Sequence, residues 1–461
     1  MSLNGLLSWI RERPAYQTLR EQLASGTHVP AQVAPAPAIP AVLAALVEDL
    51  PGPHILLTPT AAESRQLLQA LRTTWLRAPE RLLSFPEPQV MPYERAAWAP
   101  ETITDRLTTL STLFLQRADA DAPPPIIVTS ARAVMQRLLP YRQFRRAARR
   151  IATGGRDSLT ALARHCRGIG YESVSVVEAP GQISQRGGLL DIFPPHAVQP
   201  YRLDFFGDEI EAIRTFEPAT QRSTGRVEGF WLTPVREALP QDGARAAAAL
   251  RASLEEDLQP EVRAPLEADL QALEAGVPFP TLEYYLPYMY QETSTLLSYL
   301  PPEGRLILYN AEALPGRWAE LYAEAEALRQ RARAERLPGS DAPLPYSSWE
   351  NWEGALADRV VLSLSPGEEG PLAELFAPAP HFAGKLGEAL GRLRQWTKLG
   401  DQIVVVSRQA ARLAELWQEF TPPPVLETLD APPETLITFV QGVVAGGWQM
   451  PAATAAVQGL P

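Results

Sequence analysis

Apolar positions along the first third of the chain alternate between helical and strand spacing. Residues 4–23 carry an amphipathic helical pattern, interrupted near Pro14. Segments 41–50, 61–75, 102–115 and 130–138 place apolar residues three and four apart, whereas 55–58, 82–85 and 126–129 are short apolar runs. Ser130 stands where an N-cap is needed for the last of these helices. Strands alternating with helices of this length predict βαβ units and a parallel sheet. The proline- and alanine-rich stretch 29–40 is excluded from regular helix and from a central strand.

The pattern changes after Gly154 and Gly155. One helix over 158–167 is followed by consecutive strands at 174–178, 188–193, 201–206 and 209–216, which predicts a small α+β insertion. Gly207-Asp208 is a two-residue hairpin signal. Helical character returns over 240–275, with a buried-type strand at 306–309, a charged helix at 318–337 and a strand at 360–364. A last unit reads as helix 382–396, strand 403–407 and helix 410–420. No internal repeat is visible.

With 461 residues, the chain has room for about three domains of roughly 150 residues each. Its formal charge of −11 excludes a general nucleic-acid coat, although a local basic patch remains compatible with that sum. Lys385 and Lys398 are the only lysines, so the cationic chemistry is almost entirely arginine. The 46 prolines, about twice the usual share, predict many short elements. No run approaches the ~18 apolar residues of a membrane span, and the start lacks a signal-peptide core. Cys166 is alone, and no Cys/His spacing suits zinc. The reading is a cytoplasmic, multidomain α/β protein that holds no metal.

Nucleotide chemistry finds little support. No G-x-x-x-x-G-K-[ST] loop occurs, and the turn before the first α/β helix carries Pro35, Pro37 and Pro40, which lack N–H donors. The strand 306–309 leads to Asn310 and an isolated Glu312 rather than to an acidic pair for Mg²⁺, so a buried strand with a polar exit loop explains it better. No G-x-S-x-G or H-E-x-x-H occurs, and His28, His54, His165, His196 and His381 are scattered. His165-Cys166 reads as a packed histidine beside an inert thiol. No catalytic residue, cofactor or small-molecule substrate is expected, though an unrecognised nucleotide or sugar-phosphate site in the first sheet would make an enzyme of it.

Two segments carry candidate binding chemistry. Eight arginines and no acidic residue occur over 131–156. Arg142, Arg145, Arg146, Arg149 and Arg150 would share one face if the segment were helical. Such a face either contacts phosphates or an acidic protein, making 132–156 a DNA-binding module, or is solvated and neutralised by acidic neighbours. The second segment runs S-Q-R-G-G-L-L-D-I-F-P-P over 184–195, continues through P-Y-R-L-D-F-F-G-D-E-I at 200–210, and ends F-E-P-A-T-Q-R at 216–222. Even spacing puts Arg202 and Phe206 on one strand face, while Phe205 points the other way. An arginine and an aromatic on an open strand face suit a protein-binding hot spot; an ordinary exposed hairpin pair is the alternative.

These motifs, in this order and spacing, resemble the UvrB-homology module of the bacterial transcription-repair coupling factors (Mfd). L-L-T-P-T at 56–60, M-P-Y-E at 91–94, V-T-S-A-R at 128–132, G-Y at 170–171, V-E-A-P-G at 177–181, L-E-Y-Y-L-P at 282–287 and T-L-L-S-Y-L-P at 295–301 agree with it, so the resemblance covers nearly the whole chain. It implies a degenerate RecA-like parallel-sheet domain with an inserted small α+β domain that binds the damage-recognition protein UvrA, followed by a small α/β domain. In those terms 28–156 is the RecA-like part (1A-like) and 1–27 with 234–370 the second half of the module (1B-like). The insertion is 157–233 (2-like), and 371–461 is the last domain (3-like). UvrA-contact positions of the family fall on Arg186, Arg202 and Phe206, with Gly187, Asp191, Asp204 and Phe205 supporting the surface.

UvrB itself fits less well, because it carries a phosphate loop and a DNA-gripping hairpin near the position after Tyr93. Only a dozen residues separate Tyr93 from Arg106. A stand-alone UvrB-like repair protein is therefore the weaker reading. The family's RNA-polymerase-binding and ATP-driven, Mg-dependent translocase domains have no counterpart here. On that resemblance the chain is an N-terminal fragment or truncated product, with 452–461 replacing the acidic close of the last domain. RNA polymerase and DNA would be engaged only through the missing domains, and the chain would act as a bacterial cytoplasmic adaptor.

Overall fold

A computed structural model describes residues 1–118, 122–253, 260–290, 292, 294–334, 344–380, 382, 384–417, 423–450 and 455–459. The chain opens with helices α1 (Leu7–Arg11) and α2 (Pro14–Ala24), and Pro14 starts the second, where a missing N–H costs nothing. Then come β1 (Val29–Ala34), α3 (Ile39–Asp49), β2 (His54–Thr58), α4 (Ala61–Ala70), β3 (Leu82–Phe85), α5 (Pro100–Ala118) and β4 (Ile126–Ser130). Short helices α6 (Ala131–Met135) and α7 (Tyr141–Ala147) lead to β5 (Arg149–Ala152) and α8 (Leu159–Gly168). The inserted strands are β6 (Glu172–Ser173), β7 (Gln182–Arg186), β8 (Leu189–Ile192), β9 (Tyr201–Phe206), β10 (Glu209–Phe216), β11 (Ser223–Arg226) and β12 (Gly229–Leu232). After helices Gly243–Ser253 and Pro260–Ala275, β13 (Arg305–Tyr309) and β14 (Val360–Pro366) return to the first sheet.

That sheet has the order β1-β14-β13-β2-β4-β3 and every pairing is parallel. Alternation along each strand divides its side chains between two cores. Ile55, Leu57 and Ile127 face α5 and α6, whereas Leu56, Ile126 and Val128 face α3, which is buried from Ala41 to Val47. The proline-rich stretch supplies β1 at the sheet edge, the place where a strand tolerates proline. Capping follows the sequence closely: Ser130 accepts from the Ala133 amide, and Thr60 with Glu63 forms a reciprocal capping box on α4.

The insertion is a mixed sheet of order β11-β10-β9-β8-β7-β6. Two expectations are corrected here. The stretch 174–178 is a loop, and the strand lies at β7 instead, where only Ile183 and Ser184 are buried. The basic run is not one helix: α7 ends at Ala147, Ala148 is extended, and Arg149 and Arg150 lie on β5, which pairs with β12 because Ile151 faces Phe230 across the ladder. One buried ion pair ties α5 to the segment that follows the insertion. The fully buried Arg106 of α5 binds Glu237 through Nε–Oε1 (2.5 Å) and Nη2–Oε2 (3.2 Å), beneath the Phe85 ring.

The last unit adds β15 (Ala377–Pro378), β16 (Gln402–Ser407), β17 (Val425–Leu426), β18 (Ile437–Gln441), β19 (Trp448–Met450) and β20 (Ala455–Gly459), in the order β15-β19-β20-β16-β18-β17. Val404, Val406, Val440 and Trp448 share a core with α1 and α3. Its helices run Leu386–Lys398 and Ala410–Trp417; His381, residues 383 and 418–420 of the expected helices and 335–337 of the charged helix lie outside the described residues, as do 452–454 and 460–461.

Candidate protein-interaction site on the inserted sheet

Two hairpin tips meet at one end of the inserted sheet. Gly187 and Gly188 join β7 to β8, with Gly187 at φ +58°, a conformation costly for any residue with a Cβ. Gly207 and Asp208 join β9 to β10, with Gly207 at φ +64° and Phe206 opposite Glu209. The Phe205 amide donates to the Gly188 carbonyl (2.9 Å), so the tips lie side by side. A Cβ on Gly188 would come within 3.1 Å of the Phe205 carbonyl oxygen.

Leu203 and Phe205 turn inward to the core, which leaves Arg202, Asp204 and Phe206 on the outer face. There Ser184, Asp191, Arg202 and Arg214 form one cross-strand row. Asp191, 1% exposed, accepts from Arg202 Nε (2.7 Å), Arg202 Nη2 (2.8 Å) and Arg186 Nη2 (3.0 Å). The Arg202 guanidinium also sits 4.5 Å from the centroid of Phe216 and donates to the Gln221 carbonyl (3.3 Å). Bonding to Asp191 raises its pKa further above the usual arginine range. Asp204 pairs with Arg214 at 2.9 Å.

The three contact candidates are therefore not equivalent. Arg202 is 15% exposed and its fork is filled from within, so the open-face description holds poorly for it. Arg186 is 49% exposed and keeps donors free for a carboxylate, while Phe206 stands 81% exposed at the tip. Gly187, Asp191, Asp204 and Phe205 shape or brace the same surface. Arg214, Phe216 and Gln221 join it without having been singled out in the sequence. An exposed aromatic beside a half-free guanidinium can bury apolar surface and grip an acidic group on a partner.

The remaining candidates take structural places. At α3, the amides of Ala38 and Ile39 both donate to the Pro35 carbonyl, so the turn closes on itself rather than fanning donors outward. Asn310, at φ +52°, bonds Glu63 Oε1 (3.1 Å) and links the end of β13 to the start of α4. The 86–99 loop that holds Tyr93 contains no strand. His165 Nε2 lies 2.9 Å from the Ala147 carbonyl, and burial pushes the Cys166 thiol up to about 12. Among the described residues no His/Cys/Asp/Glu group is arranged to hold a metal, and no helix is long and apolar enough to cross a membrane.

The basic run divides. Arg132 is tied to Tyr346 and the Val90 carbonyl. Arg142, Arg145 and Arg146 project from α7, and Arg149 and Arg150 from opposite faces of β5, all exposed. Arg149 has an ion pair, with Asp157 at 3.5 Å.

Residues 150–237 match the family described as UvrB interaction domain. The chain is similar to the transcription-repair-coupling factor of Myxococcus xanthus, 31% identical over 361 residues, which is 73% of this chain and 30% of that protein. The factor of Haemophilus influenzae is 32% identical over 55% of this chain and 22% of its own length, and that of Bacillus subtilis 28% over 64% and 24%. The chain thus aligns with less than a third of each of these relatives.

Proposed function

We propose that this chain, homologous to the transcription-repair-coupling factors over most of its length, is an adaptor that recruits UvrA through the outer face of its inserted sheet. The observation that carries the reading is the pairing of Phe206, fully presented at a hairpin tip, with Arg186 beside it, inside the segment that matches the UvrB interaction domain. Asp191 presents this surface by holding Arg186 and Arg202 together. In the cell the chain would serve repair of transcribed DNA by delivering UvrA to stalled RNA polymerase, with displacement and ATP hydrolysis supplied by other domains. Co-elution of purified UvrA with the full chain in size-exclusion chromatography tests it; separate elution at micromolar concentrations of both would refute it.

A further inference from the structure

One charged surface takes no part in that role. α7, the start of β5 and α8 converge where His165 Nε2 meets the Ala147 carbonyl. Arg149, Arg164 and Arg167 line one groove there, together with Gly168 and Gln241. Arg164 and Arg167 are three apart and so share a face of α8, while Arg142, Arg145 and Arg146 occupy the exposed side of α7. Among the described residues none of these five has an ion-pair partner, and Asp157 compensates only Arg149. A cluster of uncompensated guanidinium groups on a chain of net charge −11 is a local reversal of the molecule's field.

We infer that this surface binds the phosphate backbone of duplex DNA without reading its sequence. Charge alone would also suit an acidic protein, but a protein interface needs an apolar centre. No large apolar side chain of residues 141–167 is exposed; the groove's lining holds one exposed large apolar residue, Val277, and one carboxylate, Glu274, which is paired with Arg251. Single-stranded nucleic acid needs aromatic platforms for its bases. The aromatics here, Tyr141 and Phe144, are engaged with Phe114 and Tyr299. What the surface offers is guanidinium forks, which match phosphate geometry. The backbone of Arg156, the last arginine of the run, pairs with that of Glu209, the cross-strand partner of Phe206, so the run ends beside the candidate UvrA site without including its contact residues.

The test is fluorescence anisotropy of a labelled duplex of about 25 base pairs titrated with the full chain at several salt concentrations. Wild type binds with an affinity that falls linearly on a log–log salt plot. Arg164→Glu/Arg167→Glu, and separately Arg142→Glu/Arg146→Glu, each weaken binding at least tenfold and flatten the slope by about two, since each phosphate contact contributes about 0.9. Arg164→Gln/Arg167→Gln, with a melting temperature matching wild type, guards against misfolding and gives the same direction. UvrA capture by these variants stays intact, which separates this surface from the one above. No salt-dependent duplex binding, equal binding by wild type and variants, tighter binding of single-stranded RNA, or loss of UvrA capture in its place would each overturn the proposal.

Discussion

Arg202 and Asp191 face each other across the β8–β9 ladder in a two-pronged ion pair, Nε–Oδ1 at 2.7 Å and Nη2–Oδ2 at 2.8 Å. Arg186 adds a third bond to the same nearly inaccessible carboxylate. Because Asp191 is buried, removing it strands the largely covered Arg202 charge. Asp191→Ala should cost about 3 kcal/mol of insertion stability. Arg186→Ala should cost less than about 1 kcal/mol, because that side chain is half solvated. Hydrogen exchange of the β8 and β9 amides separates the two outcomes; equal protection in both variants would contradict the account.

The Arg106–Glu237 pair should behave as a buried ion pair between two parts of the fold. Glu237→Ala should destabilise by about 3–5 kcal/mol, whereas Arg106→Met/Glu237→Leu together should recover most of it. Denaturant unfolding of the two single variants and the double one measures this. Additive losses in the double variant would show that the pair is not coupled.

Acid should weaken the fold through two histidines. Burial, with Arg305 and Arg81 nearby, lowers His54 to about 3, and burial lowers His196 to about 4. Both are depressed below the unfolded value near 6.5, so the unfolded chain takes up protons first. Stability is therefore full above about pH 6.5 and falls as pH drops toward 4, by about 2 kcal/mol per histidine at pH 5. His54→Leu should remove about half of that slope between pH 7 and 5. An unchanged slope in thermal melts would count against it.

A closed, proline-lined turn before α3 should leave nucleotides without a foothold. A ligand present at a hundredfold excess over its Kd adds about 2.7 kcal/mol to stability. Millimolar Mg-ATP should leave the melting temperature unmoved, and a rise of several degrees would reveal a site that the turn geometry does not account for.

The parallel sheet was legible because short apolar runs alternate with helical patterns and Ser130 sits where its strand ends and the next helix begins. Gly207-Asp208 likewise marks its hairpin. The outer face was harder to read. Counting outward from that turn pairs Arg202 with Ile213, but Glu211 bulges and shifts the register, bringing Arg214 opposite Arg202. β7 was missed because Gln182, Gln185 and Arg186 make it look like a loop, and its stability comes from pairing with β8. Asp191 enters the sequence reading only through the family resemblance, and its two arginine partners emerge only in the folded sheet.

The most direct measurement is calorimetric titration of UvrA with the full chain and three variants. Phe206→Ala and Arg186→Ala should each weaken binding by about 2 kcal/mol, roughly 30-fold, and Arg202→Ala should weaken it indirectly, by removing the partner that braces Asp191 beneath Arg186. Phe206→Ala should do so with no change in melting temperature, since its ring is exposed in the free chain. Undiminished affinity in all three variants, each still folded, would contradict the assignment of UvrA to this face.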